Sequence, residues 1–247
     1  GATVVDPQII QWYKDNMVIE PVERIGFDRN FWVWKQPDYT KDYIVVADVA
    51  RGDGSDFSAC QVFDVEDVEQ VAEYKGQLST TEYGHFLIDV ATRYNDAVLI
   101  VENNNIGWAT IQTIIDRGYK NLFYQSNDLK YVDVEQQVQN KYRAEERKMV
   151  AGFTTTKKTR PLIIQKMEEF TREKIVKLYS SRLVDEMFVF IYHNSRAEAM
   201  IGYNDDLIIS YAIALWVRDT ALRLRKDKDD LQRATMNSLL NHNGDLN

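Results

Sequence analysis

One cysteine, Cys60, is all this chain contains, so it can form neither an internal disulfide framework nor a cysteine-cluster zinc site, and it suits a reducing compartment. Histidine is nearly as scarce. His85, His193 and His242 are widely scattered, without the spacing of zinc ligands. Only four prolines and eleven glycines occur, and they build no low-complexity linker. No apolar run approaches the roughly 20 residues of a membrane span, and no signal peptide opens the chain. A Gly-x-x-x-x-Gly-Lys-Ser/Thr phosphate loop is missing too, which argues against ATP hydrolysis by this segment alone. A disulfide scaffold, a cysteine-cluster zinc site and a membrane-spanning run therefore drop out, and the chain offers little histidine or cysteine for catalysis. What remains is 247 residues, 45% apolar and 28% charged, enough for one large domain or two small ones. The net charge of −8 means that a nucleic-acid role needs a local basic patch.

No internal repeat is visible. Residues 1–40 read as a lead-in, with Asp6-Pro7 starting a helix to Asn16 and Phe31-Trp32-Val33-Trp34 forming a short strand or docking segment. "YIVVAD" (43–48) is a continuous apolar run ending in Asp, the pattern of a buried central strand. "RGDGSD" (51–56) is a turn, and "FSACQVFDV" (57–65) with "EQVAEYKG" (69–76) completes a meander. Thr80 then caps a helix, "AVLIVE" (97–102) is a second buried strand, and a helix from Ile106 stops at Gly118. After a short strand at 121–125, residues 126–158 read as a polar excursion. Thr159 as N-cap and Pro161 open another helix. "IVKLYS" and "FVFIYH" flank Ser181–Glu186 as strands. From Asp205 runs a last apolar helix, with a charged tail from Arg223. Strands alternating with helices predict an α/β chain with a mixed sheet.

Three acidic positions stand at the polar ends of these buried elements. Asp48 ends one strand, Glu102 ends another, and Asp205-Asp206 opens the apolar helix "DDLIISYAIALWV". A lone Asp at a strand end is commonly a turn former, and one Asp at a helix start is commonly a cap. All those readings would have to hold at once. If the two strands are neighbours, their ends share the crevice where α/β sheets bind ligands. Clustered carboxylates repel unless a cation neutralises them. Hard oxygen ligands without His or Cys select Mg²⁺ or Mn²⁺. Two such ions about 4 Å apart would suit phosphodiester displacement.

The ordered set "VADVARGDGSDFSA", "LIVENNNIG" and "EAMIGYNDDLIISYAIAL" resembles the C-terminal nuclease domain of tailed-phage large terminase subunits, those of T4-like phages in particular. "TRPLII", "SSRLVDEM" and "RDTALRLR" add to the likeness, which covers most of residues 40–235. The resemblance implies a ribonuclease-H-like fold, shared with resolvases and integrases. It implies cleavage of double-stranded DNA during genome packaging, with little sequence specificity. Carried over, the catalytic and metal-binding acids are Asp48, Glu102 and Asp206, with Asp205 as a cap or supporting partner and Asp56 as an auxiliary acid. Gly52 and Gly54 fit the tight turn beside Asp48, where bare backbone would let a phosphate approach. Domain expectations are a lead-in at 1–40 from a preceding domain, the nuclease at 41–235 and a tail at 236–247. Implied partners are double-stranded DNA, the N-terminal ATPase domain of the same full-length protein, the viral portal and the small terminase subunit, with no membrane. The place of action is the host cell cytoplasm, at the prohead.

Basic residues gather at 141–177, where eleven Lys and Arg face five acids. Such a patch suits phosphate contacts without base reading. Lys157, Lys158 and Arg160 have no acids nearby in sequence and are the expected DNA contacts, whereas Lys166–Lys177 reads as a solvated helix face with Glu pairs. The rivals are another ribonuclease-H-like nuclease such as a junction resolvase, an actin-type nucleotide-binding domain, and a docking module whose acids bind no metal. The actin-type reading needs a second late Gly-rich loop, which the sequence lacks.

Overall fold

The structure is a computed structural model, and it describes residues 1–54, 56–126 and 149–218. Its centre is a six-stranded mixed sheet. Strand β3 (Tyr43–Asp48) pairs antiparallel with β4 (Ser58–Asp64), which pairs antiparallel with β5 (Glu69–Gly76). Strand β6 (Val98–Val101) lies on the other side of β3 and parallel to it. The crossover between β5 and β6 is helix α2 (Thr80–Arg93). Short strands β1 (Glu23–Ile25) and β2 (Phe31–Val33) extend the far edge, giving the order β1-β2-β5-β4-β3-β6. The apolar runs foreseen at 43–48 and 97–102 are thus adjacent central strands.

Each face of the sheet has its own core. Val45, Ala47, Leu99 and Val101 pack with α2 and with α3 (Gly107–Asp116). Ile44, Val46, Ala59 and Ile100 pack on the opposite side with α1 (Pro7–Asn16), α4 (Thr159–Arg172), α5 (Ser181–Val189) and the described turns of α6, 206–218. Residues 207–215 of α6 are all buried, as expected of a helix apolar on every side. Residues 1–40 belong to the same body. They supply two strands of the sheet, and Val4, Val5, Ile10 and Tyr13 lie in the core.

The strands β4 and β5 also bury polar side chains, and these satisfy one another. Gln61 donates to Glu73 at 2.9 Å and Gln70 donates to Gln61 at 2.7 Å. Ser180 and Arg182 close the network on Glu73 at 2.6 and 2.9 Å. The start of α5 is thereby fastened to the sheet. Beyond β6, β7 (Tyr124–Ser126) pairs with β8 (Met149–Ala151). A hairpin of β9 (Phe190–His193) and β10 (Arg196–Ala199) turns at Asn194 and Ser195, both with positive φ.

Several local expectations shift. Ser79, not Thr80, caps α2, in a reciprocal capping box with Glu82. Thr159 lies inside α4, and the hydroxyl of Thr156 accepts from its N–H and that of Lys158. Residues 175–180 form no strand. Lys177 alone bridges to the sheet before Ser180 turns the chain into α5. Of the polar excursion, only Ser126 and the residues from Met149 onward are described. Lys141, Arg143, Arg147, Lys148 and the tail from Arg223 lie outside the described residues.

Candidate active site

The register of the sheet builds the site floor. Asp48 pairs with Ala59, and Ala59 pairs with Lys75. Directly paired residues of antiparallel strands share a face. Ala47 pairs with Val101, and Glu102 N donates to Ala47 O at 2.9 Å, so Glu102 stands beside Asp48. One row therefore runs Glu102–Asp48–Ala59–Lys75 across four neighbouring strands. It continues the parity of Ile44 and Val46 and faces α6. The carboxyls of Asp48 and Glu102 stand close enough for the Glu102 charge to favour the protonated form of Asp48.

Two details hold Glu102. Asn104 donates to its Oε1 at 3.1 Å. Gly107 opens α3 so close beneath it that any β-carbon there would overlap the Glu102 carbonyl. Two of the three asparagines after Glu102 thus do more than turn. Asn104 orients the acid, and buried Asn103 donates to Ala151 O at 2.9 Å.

From above the floor comes α6, whose first residue is Asp206. One Asp206 oxygen accepts from Phe57 N–H, while Oδ2 is buried without a hydrogen-bond partner. Asp205 occupies the N-cap position, its carbonyl accepting from Ile209 N at 2.9 Å. Its carboxylate pairs with Arg160 at 2.9 Å. The acceptor for the N–H groups of Leu207 and Ile208 is Glu186 Oε2, on α5, at 3.1 and 3.3 Å. Glu186 Oε1 in turn accepts from Lys75 at 2.7 Å. The expectation that one aspartate side chain caps the helix is corrected on this point: a glutamate twenty residues earlier does so.

The charges act on one another. Burial, and then the Glu102 and Asp206 charges, hold the Asp48 carboxyl well above the ordinary range. Burial pushes Asp206 up to about 6, with Lys75 opposing and Asp205 and Asp56 adding to the rise. Burial pushes Glu186 up to about 7 against the pull of Lys75. Asp56 itself is exposed. Among the described residues no three His, Cys, Asp or Glu side chains form a ready-made ligand group as they stand. The donor chemistry nonetheless suits a hard cation. It consists of carboxylate oxygens alone, one of them a buried orphan, in a cluster whose like charges raise its own pKa values.

No family model matches the chain. Among solved structures, the large terminase nuclease of the thermophilic phage G20c aligns with a TM-score of 0.62 and 14% identity, over 86% of this chain and 97% of that one. The same nuclease with bound magnesium aligns at 0.61, with 14% identity over 83% and 95% of the two chains. The large terminase nuclease domain of Thermus phage P74-26 aligns at 0.55, with 17% identity over 83% and 93%. The chain has the fold of a large terminase nuclease domain. That fold is the ribonuclease-H-like mixed sheet flanked by helices.

In this terminase nuclease fold a cleft of about 520 Å³ adjoins Glu102, lined among others by Thr155, Lys157, Arg160, Tyr192 and Arg196. Lys157 and Lys158 are exposed and make no ion pair among the described residues. Arg160 departs from expectation. It is paired with Asp205, and it also donates to Ala197 O at 3.2 Å, because the fold brings the 205 turn over the start of α4. Its Nε, with Thr155 Oγ1, is buried and unpartnered. On α4, Arg172 pairs with Glu168 at 2.7 Å, as the sequence suggested for that face. Gly52 has φ +81, and a β-carbon there would collide with the Leu78 carbonyl, so the turn admits no side chain at that position. Gly54 has open space around it.

Sequence reasoning missed Lys75 and Glu186. Lys75 is one lysine in a strand, and Glu186 is one acid in "SSRLVDEM", and nothing in either stretch marks them. Only the cross-strand register and the packing of α5 on α6 bring them to the site.

Proposed function

We propose that this chain is a metal-dependent endonuclease that cuts double-stranded DNA during packaging of a viral genome. The observation that carries the reading is the convergence of Asp48, Glu102 and Asp206 from two adjacent strands and a facing helix. The likeness to terminase nucleases supports it, one of them with bound magnesium. In this reading Asp48, Glu102 and Asp206 hold two ions of Mg²⁺ or Mn²⁺, with Asp205 and Asp56 as supporting acids. Bound there, such ions supply activated water and stabilise the attacking and leaving oxygens. The rest is the work of the chain's own residues. Asp206 offers its free Oδ2 while Phe57 N–H fixes the other oxygen. Asn104 keeps Glu102 aimed at Asp48. Lys157 and Lys158 draw in the phosphate backbone, and the buried donors of Arg160 and Thr155 receive a phosphate in the cleft. Contacts of this kind read no bases, so sequence specificity is low.

We place the nuclease at 41–235, with 1–40 as an N-terminal flank packed into the same sheet and core and 236–247 as its C-terminal flank. An ATPase domain in the same full-length protein, the portal and the small terminase subunit are the partners this function calls for, in the host cytoplasm.

The deciding experiment is plasmid cleavage with Mg²⁺ or Mn²⁺, beside EDTA and Asp48→Asn controls. Nicking and linearisation that both controls abolish, with 5′-phosphate and 3′-hydroxyl ends, is the expected result. A folded protein that neither cuts nor binds metal would return the acids to structural roles and favour a docking module.

A further inference from the structure

We infer that Glu186 is a positioning residue of this site, which caps α6 from outside and so sets where Asp206 stands. The inference rests on the reading of Asp48, Glu102 and Asp206 as a metal site. A helix start exposes backbone N–H groups that need acceptors. The usual acceptor is the side chain at the N-cap. At α6 that residue is Asp205, and its carboxylate is engaged by Arg160 at 2.9 Å. The Leu207 and Ile208 N–H groups are taken instead by Glu186 Oε2.

The geometry joins three elements at one carboxylate. Glu186 belongs to α5, its Oε2 holds the first turn of α6, and its Oε1 holds Lys75 of β5. Lys75 lies in the same cross-sheet row as Asp48. The residue that opens α6, Asp206, is therefore referenced to the strand row that carries its partner acids. Both Glu186 oxygens are engaged by donors and the side chain is buried, so it is not placed to ligate an ion itself. Its effect on the site passes through the helix start. Groups arranged to hold a ligand typically alter metal affinity about 10- to 100-fold when removed.

Two substitutions separate reach from charge. Glu186→Gln keeps an acceptor oxygen at the same reach and drops the charge. Glu186→Asp keeps the charge and falls one methylene short of the helix. The readouts are the Mn²⁺ dissociation constant, from the paramagnetic resonance signal of free ion, and the melting temperature in EDTA. Glu186→Gln should bind Mn²⁺ within about 3-fold of the unaltered chain, and Glu186→Asp about 10-fold more weakly. The reverse order would overturn the inference, because charge and not reach would then matter. It would also fall if both variants bound Mn²⁺ like the unaltered chain while melting lower, since the cap would then be structural only. If Glu186→Asp does not fold, Glu186→Gln decides alone: near-native affinity supports the inference and a tenfold loss sinks it. Failure of the unaltered chain to bind Mn²⁺ is a separate outcome, which would remove the metal-site reading and the inference with it.

Discussion

At the scale of the residue, the site is a place where the fold accepts a cost. Asp206 is pushed to about 6 and Glu186 to about 7, each from an ordinary value near 4, and Asp48 is held higher than its usual range. In the unfolded chain these carboxyls ionise near their ordinary values, so between pH 4 and 7 the folded state binds more protons than the unfolded one. Their contribution to stability is fully present below about pH 4 and is lost as pH rises through 6 and 7. Asp206→Asn removes one such buried charge. Without metal it should stabilise the protein by roughly 1–2 kcal/mol at pH 8 and by little at pH 4. It should also abolish the rise in melting temperature that the proposed function expects Mn²⁺ to give the unaltered chain by mass action. Melts at the two pH values, in EDTA and in Mn²⁺, test both halves. A variant that melts lower at pH 8 and still responds to Mn²⁺ would contradict them.

At the scale of the element, the acids sit where strands and helices end, and each end is shaped for its acid. Glycine in a helix normally costs about 1 kcal/mol relative to alanine, so Gly→Ala in α3 would ordinarily stabilise. At Gly107 the sign reverses, because a β-carbon would collide with the backbone carbonyl of Glu102. Gly107→Ala should destabilise by about 1–3 kcal/mol and weaken the Mn²⁺-induced stabilisation, since relief of the clash must move Glu102. Denaturant unfolding with and without Mn²⁺ measures both, and a stabilised variant would refute the argument. Much at this scale was legible in the chain. The apolar runs at 43–48 and 97–102 announced buried strands, and the run after Asp206 announced a buried helix, because hydrophobic periodicity is local. The caps were less legible. Ser79 and Thr156 shift the helix starts by a residue or more, since several hydroxyls near each start compete for the same N–H groups.

At the scale of the whole molecule, the proposed function asks a chain of net charge −8 to hold a polyanion. The cleft beside Glu102 answers with Lys157, Arg160 and Arg196. In the proposed function these groups contact phosphates, and each contact released makes binding less dependent on salt. Lys157→Ala should lower the slope of log affinity against log salt by about 1 for duplex DNA in metal-free buffer, equally for unrelated sequences. A slope that does not change would take Lys157 out of the DNA path. The same alteration should leave melting temperature unaffected, because Lys157 is exposed and makes no ion pair among the described residues.

By itself the sequence determined the alternation of strands and helices, the two acids at strand ends and the pair at the head of the last helix. Each of these is a property of neighbours along the chain. It also carried the ordered motifs whose likeness to terminase nucleases the fold matches. Tertiary structure alone decided that β3 and β6 are adjacent and in register, that Arg160 holds Asp205, and that Glu186 and Lys75 frame the start of α6. Those contacts join residues 21 to 111 positions apart. They depend on which surfaces the core buries against each other, and no local pattern encodes that choice.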